Sequence, residues 1–247
     1  MATLLEAQGL YKFFGGLTAI KGVDFHLNEG EILGLIGPNG SGKTTLFNLV
    51  AGVFRPDRGT IRFGGRDITG ASCADVCQMG LARTFQITRP FPLLSVLDNV
   101  KLGRAYGSKP ARTLSLAETE AIELLDFIGL GAKRSIGAGC LGLIDRKRLE
   151  LGKALATRPK LLLLDEIMAG LNPTEMETAS NLVIRIRGSG ISIIIIEHMM
   201  RAILKLSDRV MVLNTGEKIA EGLPRDVIKD KQVIEAYLGV DTHDARS

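Results

Sequence analysis

The feature that most constrains this chain is an eight-residue run, Gly37-Pro38-Asn39-Gly40-Ser41-Gly42-Lys43-Thr44, between the apolar stretch Ile32-Leu33-Gly34-Leu35-Ile36 and a helical pattern from Thr45 to Ala51 that stops at Gly52. The run fits G-x-x-x-x-G-K-[ST] in the context that pattern needs, a buried strand before it and a helix after it. Glycines allow backbone N–H groups to curl around a phosphate, and the helix N-terminus adds the positive end of its dipole. Lys43 is then placed to reach the β- and γ-phosphates of a nucleoside triphosphate, and the Thr44 hydroxyl to ligate Mg²⁺; Thr45 is counted with the same loop.

Composition narrows the remaining choices. With 247 residues, 45% of them hydrophobic, the chain can bury a sizeable core. A net charge of +4 over this length is too small to read as a nucleic-acid footprint, so any anion site is local. Cys73, Cys77 and Cys140 form no CxxC pair, and with three His residues no zinc spacing assembles, which fits reduced thiols in a cytosol. The first residues lack a basic region followed by an apolar stretch, and the longest strongly apolar run, Ile191 to Ile196, falls far short of the ~20 residues of a spanning helix. The expectation is a protein neither secreted nor membrane-spanning by itself.

From Thr3 to Gly70 the pattern predicts mostly short strands, including Val23 to Leu27 and a hairpin turning at Gly64-Gly65. Residues 88–157 change character: Ser115-Leu116-Ala117-Glu118 reads as a capping box, and Ala121, Ile122, Leu125 and Ile128 follow at helical spacing up to Gly129. Two buried strands, Leu161 to Leu164 and Ile191 to Ile196, bracket a helix opened by Asn172 as N-cap and Pro173 at its first position. Strand, helix and strand in that order imply a parallel α/β sheet covered on both faces. Arg209 to Leu213 and Lys218 to Glu221, joined by Asn214-Thr215-Gly216, read as a closing hairpin. The helical segment is expected to be an insertion into one core, since no flexible linker flanks it.

Leu161-Leu162-Leu163-Leu164-Asp165-Glu166 is a buried strand ending in two carboxylates at the edge where open α/β folds bind ligands. Asp165 would support Mg²⁺ and Glu166 would polarise an attacking water, because phosphoryl transfer needs positioning and electrostatics more than covalent help. The run Ile191 to Ile196 ends in Glu197-His198, which puts a histidine where it could reach the γ-phosphate.

In this order the residues resemble the ATPase subunits of ABC transporters, across essentially the whole chain: the loop at 37–44, Gln86 in Arg83-Thr84-Phe85-Gln86, a helical insert, Asp165-Glu166, Ala169-Gly170-Leu171-Asn172 and His198. The resemblance implies an α/β P-loop NTPase (RecA-like) core, with an N-terminal antiparallel β subdomain and an inserted helical subdomain. Residues 1–87 and 158–247 would form the core with the β subdomain, and 88–157 the helical part. It implies two copies clamping two ATP molecules, each between the phosphate loop of one chain and the signature segment of the other. Gln86 would sense Mg²⁺ and couple to membrane subunits, His198 would contact the γ-phosphate, and Phe14 would stack on adenine. Such a subunit sits peripherally at the cytoplasmic face of the cell membrane.

A narrower resemblance lies in Phe14-Gly15-Gly16-Leu17-Thr18-Ala19, in Ala82 to Gln86 followed by Arg89-Pro90-Phe91-Pro92, in Met168 to Pro173, and in Val233-Ile234-Glu235-Ala236-Tyr237-Leu238-Gly239. These are similar to the ATPase subunits of branched-chain amino-acid and amide importers. There, two such subunits, often different, drive two permeases fed by an external solute-binding protein. The segment Ile87 to Leu94, with Arg89, Phe91, Leu93 and Leu94, is the candidate surface for a permease helix; core packing is the competing explanation.

One segment departs from the family. Where its signature reads Leu-Ser-Gly-Gly-Gln, this chain has Leu141-Gly142-Leu143-Ile144-Asp145. The hydroxyl is missing, and Leu143 and Ile144 put bulky groups where close backbone approach is wanted. The expectation is an intact phosphate-loop half-site beside a weakened signature half-site. Two alternatives stand beside an importer ATPase: a poorly hydrolysing regulatory nucleotide-binding subunit, and a soluble non-transport ABC ATPase of repair or translation. The insert shows no sustained heptads of the kind found in the latter.

Overall fold

The computed structural model describes residues 2–84 and 90–238. By its internal contacts the chain divides into two compact units, one made of the residues up to Gly70 together with those from Ile194 on, the other of Ala71–Ile193.

The first unit opens on two long strands, β1 (Thr3–Phe14) and β2 (Leu17–Asn28), paired antiparallel around the turn at Gly15-Gly16. They are twelve residues each, longer than the short strands expected from the alternation. The sequence pattern breaks because register shifts interrupt the pairing, so apolar residues do not keep strict period two along the strand. β3 (Ile32–Ile36) is buried throughout, and the helix α1 (Lys43–Val50) follows the glycine-rich loop. β4 (Arg58–Phe63) and β5 (Arg66–Asp67) turn at Gly64-Gly65 as expected and complete a four-stranded antiparallel sheet in the order β2-β1-β4-β5.

The second unit begins with α2 (Cys73–Gln78), capped by Ser72, and β6 (Leu81–Arg83). Three helices follow: α3 (Val96–Tyr106), α4 (Leu114–Phe127) and α5 (Leu143–Ala156). The start of α4 corrects the sequence reading. Thr113, extended at φ −139°, is the N-cap and accepts the Leu116 N–H, whereas Ser115 lies inside the first turn. A capping side chain must sit on a non-helical residue, which Ser115 is not. The expected apolar face is present, with Ala117, Ala121 and Leu125 buried and Gly129 just past the end in a left-handed conformation. β7 (Leu161–Asp165) is buried at every position and pairs parallel with β6. The helix α6 (Pro173–Gly188) starts as predicted, with Asn172 and Glu175 satisfying each other's backbone N–H groups and Pro173 at the first position.

β8 (Ser192–Ile196), again fully buried, carries the chain from the second unit back into the first. There α7 (Met200–Leu206) leads to β9 (Arg209–Asn214), which runs parallel to β3, and β10 (Glu217–Gly222) folds back antiparallel on β9. Two short helices, α8 (Pro224–Val227) and α9 (Lys231–Leu238), end the described chain. β3, β7 and β8 carry only buried side chains because they are sheet strands covered on both faces, so their sequences read as unbroken apolar runs.

Candidate functional site

In the first unit the loop between β3 and α1 is shaped by its glycines. Gly37 has φ +149°, and a Cβ there would meet the Leu213 carbonyl oxygen at 2.1 Å. Gly42, the N-cap of α1, has φ +103°, and a Cβ there would meet the Ala19 carbonyl oxygen at 2.7 Å. Neither place admits a side chain. The loop is tied to the β9–β10 turn by the Gly216 N–H donating to the Ser41 carbonyl at 3.0 Å. Lys43 is buried, and its ammonium donates to the carbonyls of Gly37 at 2.7 Å and Pro38 at 2.9 Å. The Ser41 hydroxyl is buried and meets no partner among the described residues, an orphaned polar group inside the loop. Thr44 is exposed on the first turn of α1, with Thr45 half-buried beside it. An anion seated here would find a helix N-terminus, a nearby ammonium and donors of the loop backbone.

Two further expected residues belong to the same unit. Phe14 ends β1 with 42% of its surface exposed, edge-on to Phe54 at 5.3 Å between ring centroids, and the Lys12 ammonium lies 5.6 Å from its centroid. It is therefore a surface aromatic and not part of the core. Asp57 secures this strand end, accepting the Phe13 N–H at 2.6 Å and the Lys12 ammonium at 3.2 Å. His198 is exposed in the bend after β8.

The carboxylates lie in the second unit. Asp165 ends β7 and is 3% exposed; its carboxylate takes the Arg83 guanidinium at 2.7 Å and its N–H donates to the Thr84 hydroxyl at 3.2 Å. Glu166 follows in a left-handed conformation at φ +51°, which few residues with a side chain adopt. Three carbonyls of this turn, those of Glu166, Ile167 and Ala169, accept from the Lys147 ammonium on α5. The lysine charge stabilises a backbone conformation that would otherwise be costly.

The segment expected to take the place of the family signature caps α5. Leu141 is buried, Gly142 is the N-cap without a side-chain bond, and Leu143 at the first helical position is 55% exposed. A Cβ on Gly142 would meet nothing within 4 Å. Asp145 in the first turn pairs with Lys133 and, at 3.7 Å, with Arg148. Gly142, Leu143, Ile144 and Asp145 face a groove of about 540 Å³ shared with Gly170 and Thr174.

The first unit thus holds the phosphate loop, Phe14 and His198, and the second holds Asp165, Glu166 and the signature segment. Gln86, with Phe85, Ile87, Thr88 and Arg89, lies outside the described residues. In the segment proposed for docking, Phe91, Leu93 and Leu94 are 52%, 97% and 37% exposed, so core packing does not account for them. Sequence reasoning passed over Arg83, Lys147 and Tyr237 as individual groups. Arg83 and Tyr237 stood inside quoted motifs, but their partners are distant in sequence; Lys147 carried no signal beyond following the signature.

Two family models match the chain: "ABC transporter" over residues 20–169 and "Branched-chain amino acid ATP-binding cassette transporter" over residues 217–243. The chain is 37% identical to the high-affinity branched-chain amino acid transport ATP-binding protein LivG of Salmonella typhimurium, over 96% of this chain and 98% of that protein. To the corresponding protein BraF of Pseudomonas aeruginosa it is 34% identical over the same shares. Among solved structures, the ADP conformation of MJ1267, an ATP-binding cassette of an ABC transporter, is 31% identical and superposes with a TM-score of 0.87, covering 97% of this chain and all of that one. The cassette cbiO1 of Clostridium perfringens, part of an ABC transporter complex, is 26% identical with a TM-score of 0.84, covering 95% of this chain and 94% of that one.

Proposed function

We propose, because this chain belongs to the ABC transporter family of ATP-binding cassettes, that it binds and hydrolyses ATP to energise import of branched-chain or related amino acids. The observation that carries the reading is the loop of residues 37–44, with its side-chain-free glycines, its orphaned Ser41 hydroxyl and the Lys43 ammonium held over its first two carbonyls. The relatives named for branched-chain amino-acid transport support the substrate class, and the match at residues 217–243 points the same way.

In this reading the loop amides and Lys43 bind the polyphosphate, with Asn39, Gly40, Ser41, Gly42, Thr44 and Thr45 around it, and Phe14 offers a ring face to adenine. Its exposure and its fixed strand end suit that task. Thr44 and Asp165 supply hydroxyl and carboxylate oxygens, the hard donors that magnesium takes, and Gln86 is assigned to the same ion. Bound there, the ion would neutralise charge on the β- and γ-phosphates. Glu166 orients and deprotonates the attacking water, and His198 contacts the γ-phosphate. The left-handed backbone at Glu166, held by Lys147, supports a fixed aim for that carboxylate.

The working assembly is proposed as two cassettes on two permease subunits at the cytoplasmic face, fed from outside by a solute-binding protein. Among the described residues no helix is long and apolar enough to cross a membrane. Residues 1–87 with 158–247 are assigned as the nucleotide-binding core and 88–157 as the helical subdomain, with the exposed Phe91, Leu93 and Leu94 as the surface meeting a permease helix. The bare N-cap at Gly142 favours one refinement: a mixed dimer in which a second, different cassette supplies the stronger signature segment.

Calorimetry with the purified chain tests the nucleotide site: MgATP binds the natural chain, and Lys43→Ala abolishes or severely weakens binding. Recovery of the tagged chain from membranes tests the assembly. Permeases co-purify with it, and Phe91→Ala loses them while retaining ATP. A natural chain that binds no nucleotide overturns the reading.

A further inference from the structure

The first amide of the phosphate loop is held by α9, the last helix among the described residues. The Gly37 N–H donates to the Tyr237 hydroxyl at 2.8 Å, joining positions 200 residues apart in sequence. The carbonyl of the same Gly37 accepts the Lys43 ammonium at 2.7 Å. One residue, Gly37, is thus gripped on both sides, its N–H by α9 and its C=O by the lysine of the loop. It cannot slide toward β9, because its Cα already stands so close to the Leu213 carbonyl that a methyl group would not fit.

The helix that carries Tyr237 is itself anchored. Asp230 accepts the N–H groups of Gln232 at 2.8 Å and Val233 at 3.4 Å, and Val233 is buried. Tyr237 lies four residues after Val233, so the two share a face one turn apart. The ring is partly exposed while its hydroxyl is turned inward on Gly37. Burial raises the hydroxyl's pKa and the Gly37 amide pulls the other way, so the group is a neutral phenol that accepts one bond and keeps a proton to donate. Both residues belong to the same compact unit.

We propose that Tyr237 is a positioning residue for nucleotide binding, its hydroxyl holding the Gly37 peptide so that the C-terminal helix sets how much of the population has a loop ready for polyphosphate. The inference rests on reading residues 37–44 as the ATP site. When Lys43 turns to a phosphate, the Gly37 carbonyl gives up that partner while its N–H stays with Tyr237. Without the hydroxyl the buried amide is left unsatisfied, the loop samples other conformations, and apparent affinity falls by the competent fraction. Linkage requires the converse: a loop filled by nucleotide must steady α9.

The test uses the full chain, MgADP and MgATP. Calorimetry compares the natural protein with Tyr237→Phe, which removes one oxygen, and with Ile234→Ala on the exposed side of the same helix. We expect Tyr237→Phe to weaken binding roughly three- to tenfold, the worth of one net hydrogen bond, with the chain still folded and its melting temperature lowered by only a few degrees. Ile234→Ala should bind as the natural chain does. In amide exchange on the natural protein, MgADP should slow exchange in residues 231–238, and this protection should shrink in Tyr237→Phe. Equal affinity of Tyr237→Phe and the natural chain overturns the proposal, as does an equal loss in Ile234→Ala or nucleotide-insensitive exchange in α9. If the natural chain binds no nucleotide at all, the ATP-site reading fails first. If Tyr237→Phe does not fold, the exchange experiment on the natural chain decides alone.

Discussion

The guanidinium of Arg83 lies 2.7 Å from the carboxylate of Asp165, with both side chains nearly closed to solvent at 9% and 3% exposure. The pairing follows from strand register: Arg83 stands opposite Leu163 on the parallel partner, and Asp165, two residues further, points to the same face as Leu163. Breaking such a buried pair from one side leaves the other charge stranded. Arg83→Ala is therefore expected to destabilise the fold by about 3–5 kcal/mol, far more than loss of a surface ion pair. Urea unfolding measures this, and the double variant Arg83→Ala, Asp165→Ala should recover part of the loss. Additive losses would show that the two side chains are not coupled.

Glu166→Gln keeps the side-chain shape and the left-handed backbone but removes the carboxylate proposed to activate the attacking water. It is expected to lower ATP turnover by a factor of about 10²–10⁴ while nucleotide affinity is retained. A turnover assay beside a binding isotherm separates the two effects. Turnover close to the natural rate would remove Glu166 from the mechanism.

Lys147 is predicted to act on rate more than on binding, because its ammonium bonds the Glu166, Ile167 and Ala169 carbonyls. Lys147→Met keeps the stem and removes the charge. The left-handed turn at Glu166 then loses its support, and kcat should fall about tenfold, a loss of about 1.4 kcal/mol of transition-state stabilisation, with KM for ATP little changed. An unchanged kcat would mean that the turn keeps its form without the lysine.

The buried strands, the glycine-rich loop, the two carboxylates and the cap of α6 were all legible in the sequence, because each is a local pattern. Ile32 to Ile36 is a buried strand by its own composition, and Asn172-Pro173 marks a helix start within a few residues. What escaped was set by distant residues or by competition between near ones. Thr113 and Ser115 both carry a capping hydroxyl, and only backbone conformation decides between them. The bonds Tyr237 to Gly37, Arg83 to Asp165 and Lys147 to the Glu166 turn span 200, 82 and 19 residues, and no periodicity encodes such pairings.

Asp57 gives a pH dependence with a definite sign. The Phe13 N–H is the main influence holding its carboxyl below the ordinary carboxylate range; desolvation opposes it, and the Lys12 ammonium adds a smaller lowering. A depressed folded-state pKa adds stability that is present above the ordinary value and disappears as pH falls through the lowered one. The stability difference between the natural chain and Asp57→Asn should therefore shrink as pH falls from about 5 to about 3. Thermal melts across that range check it, and a constant difference would deny the carboxylate its role at the strand end that bears Phe14.

Rebuilding the signature is the most direct probe of the proposal that this half-site is weakened. Gly142 has extended backbone at φ −69° and open space where a Cβ would go, so Gly142→Ser fits without strain. As an N-cap the serine would accept an N–H of the first turn of α5, adding a few tenths of a kcal/mol of stability. That variant alone should melt slightly higher. The full set Gly142→Ser, Leu143→Gly, Ile144→Gly and Asp145→Gln also removes the Lys133 and Arg148 pairs of Asp145 and adds two glycines to a helix start. It should therefore be less stable than the natural chain, yet hydrolyse ATP faster as a homodimer, because in the proposed assembly a hydroxyl and two bare backbone positions would then face the γ-phosphate of the second copy. Stability and turnover are expected to move in opposite directions. A rebuilt chain with unchanged turnover would mean that Leu143 and Ile144 do not weaken this half-site.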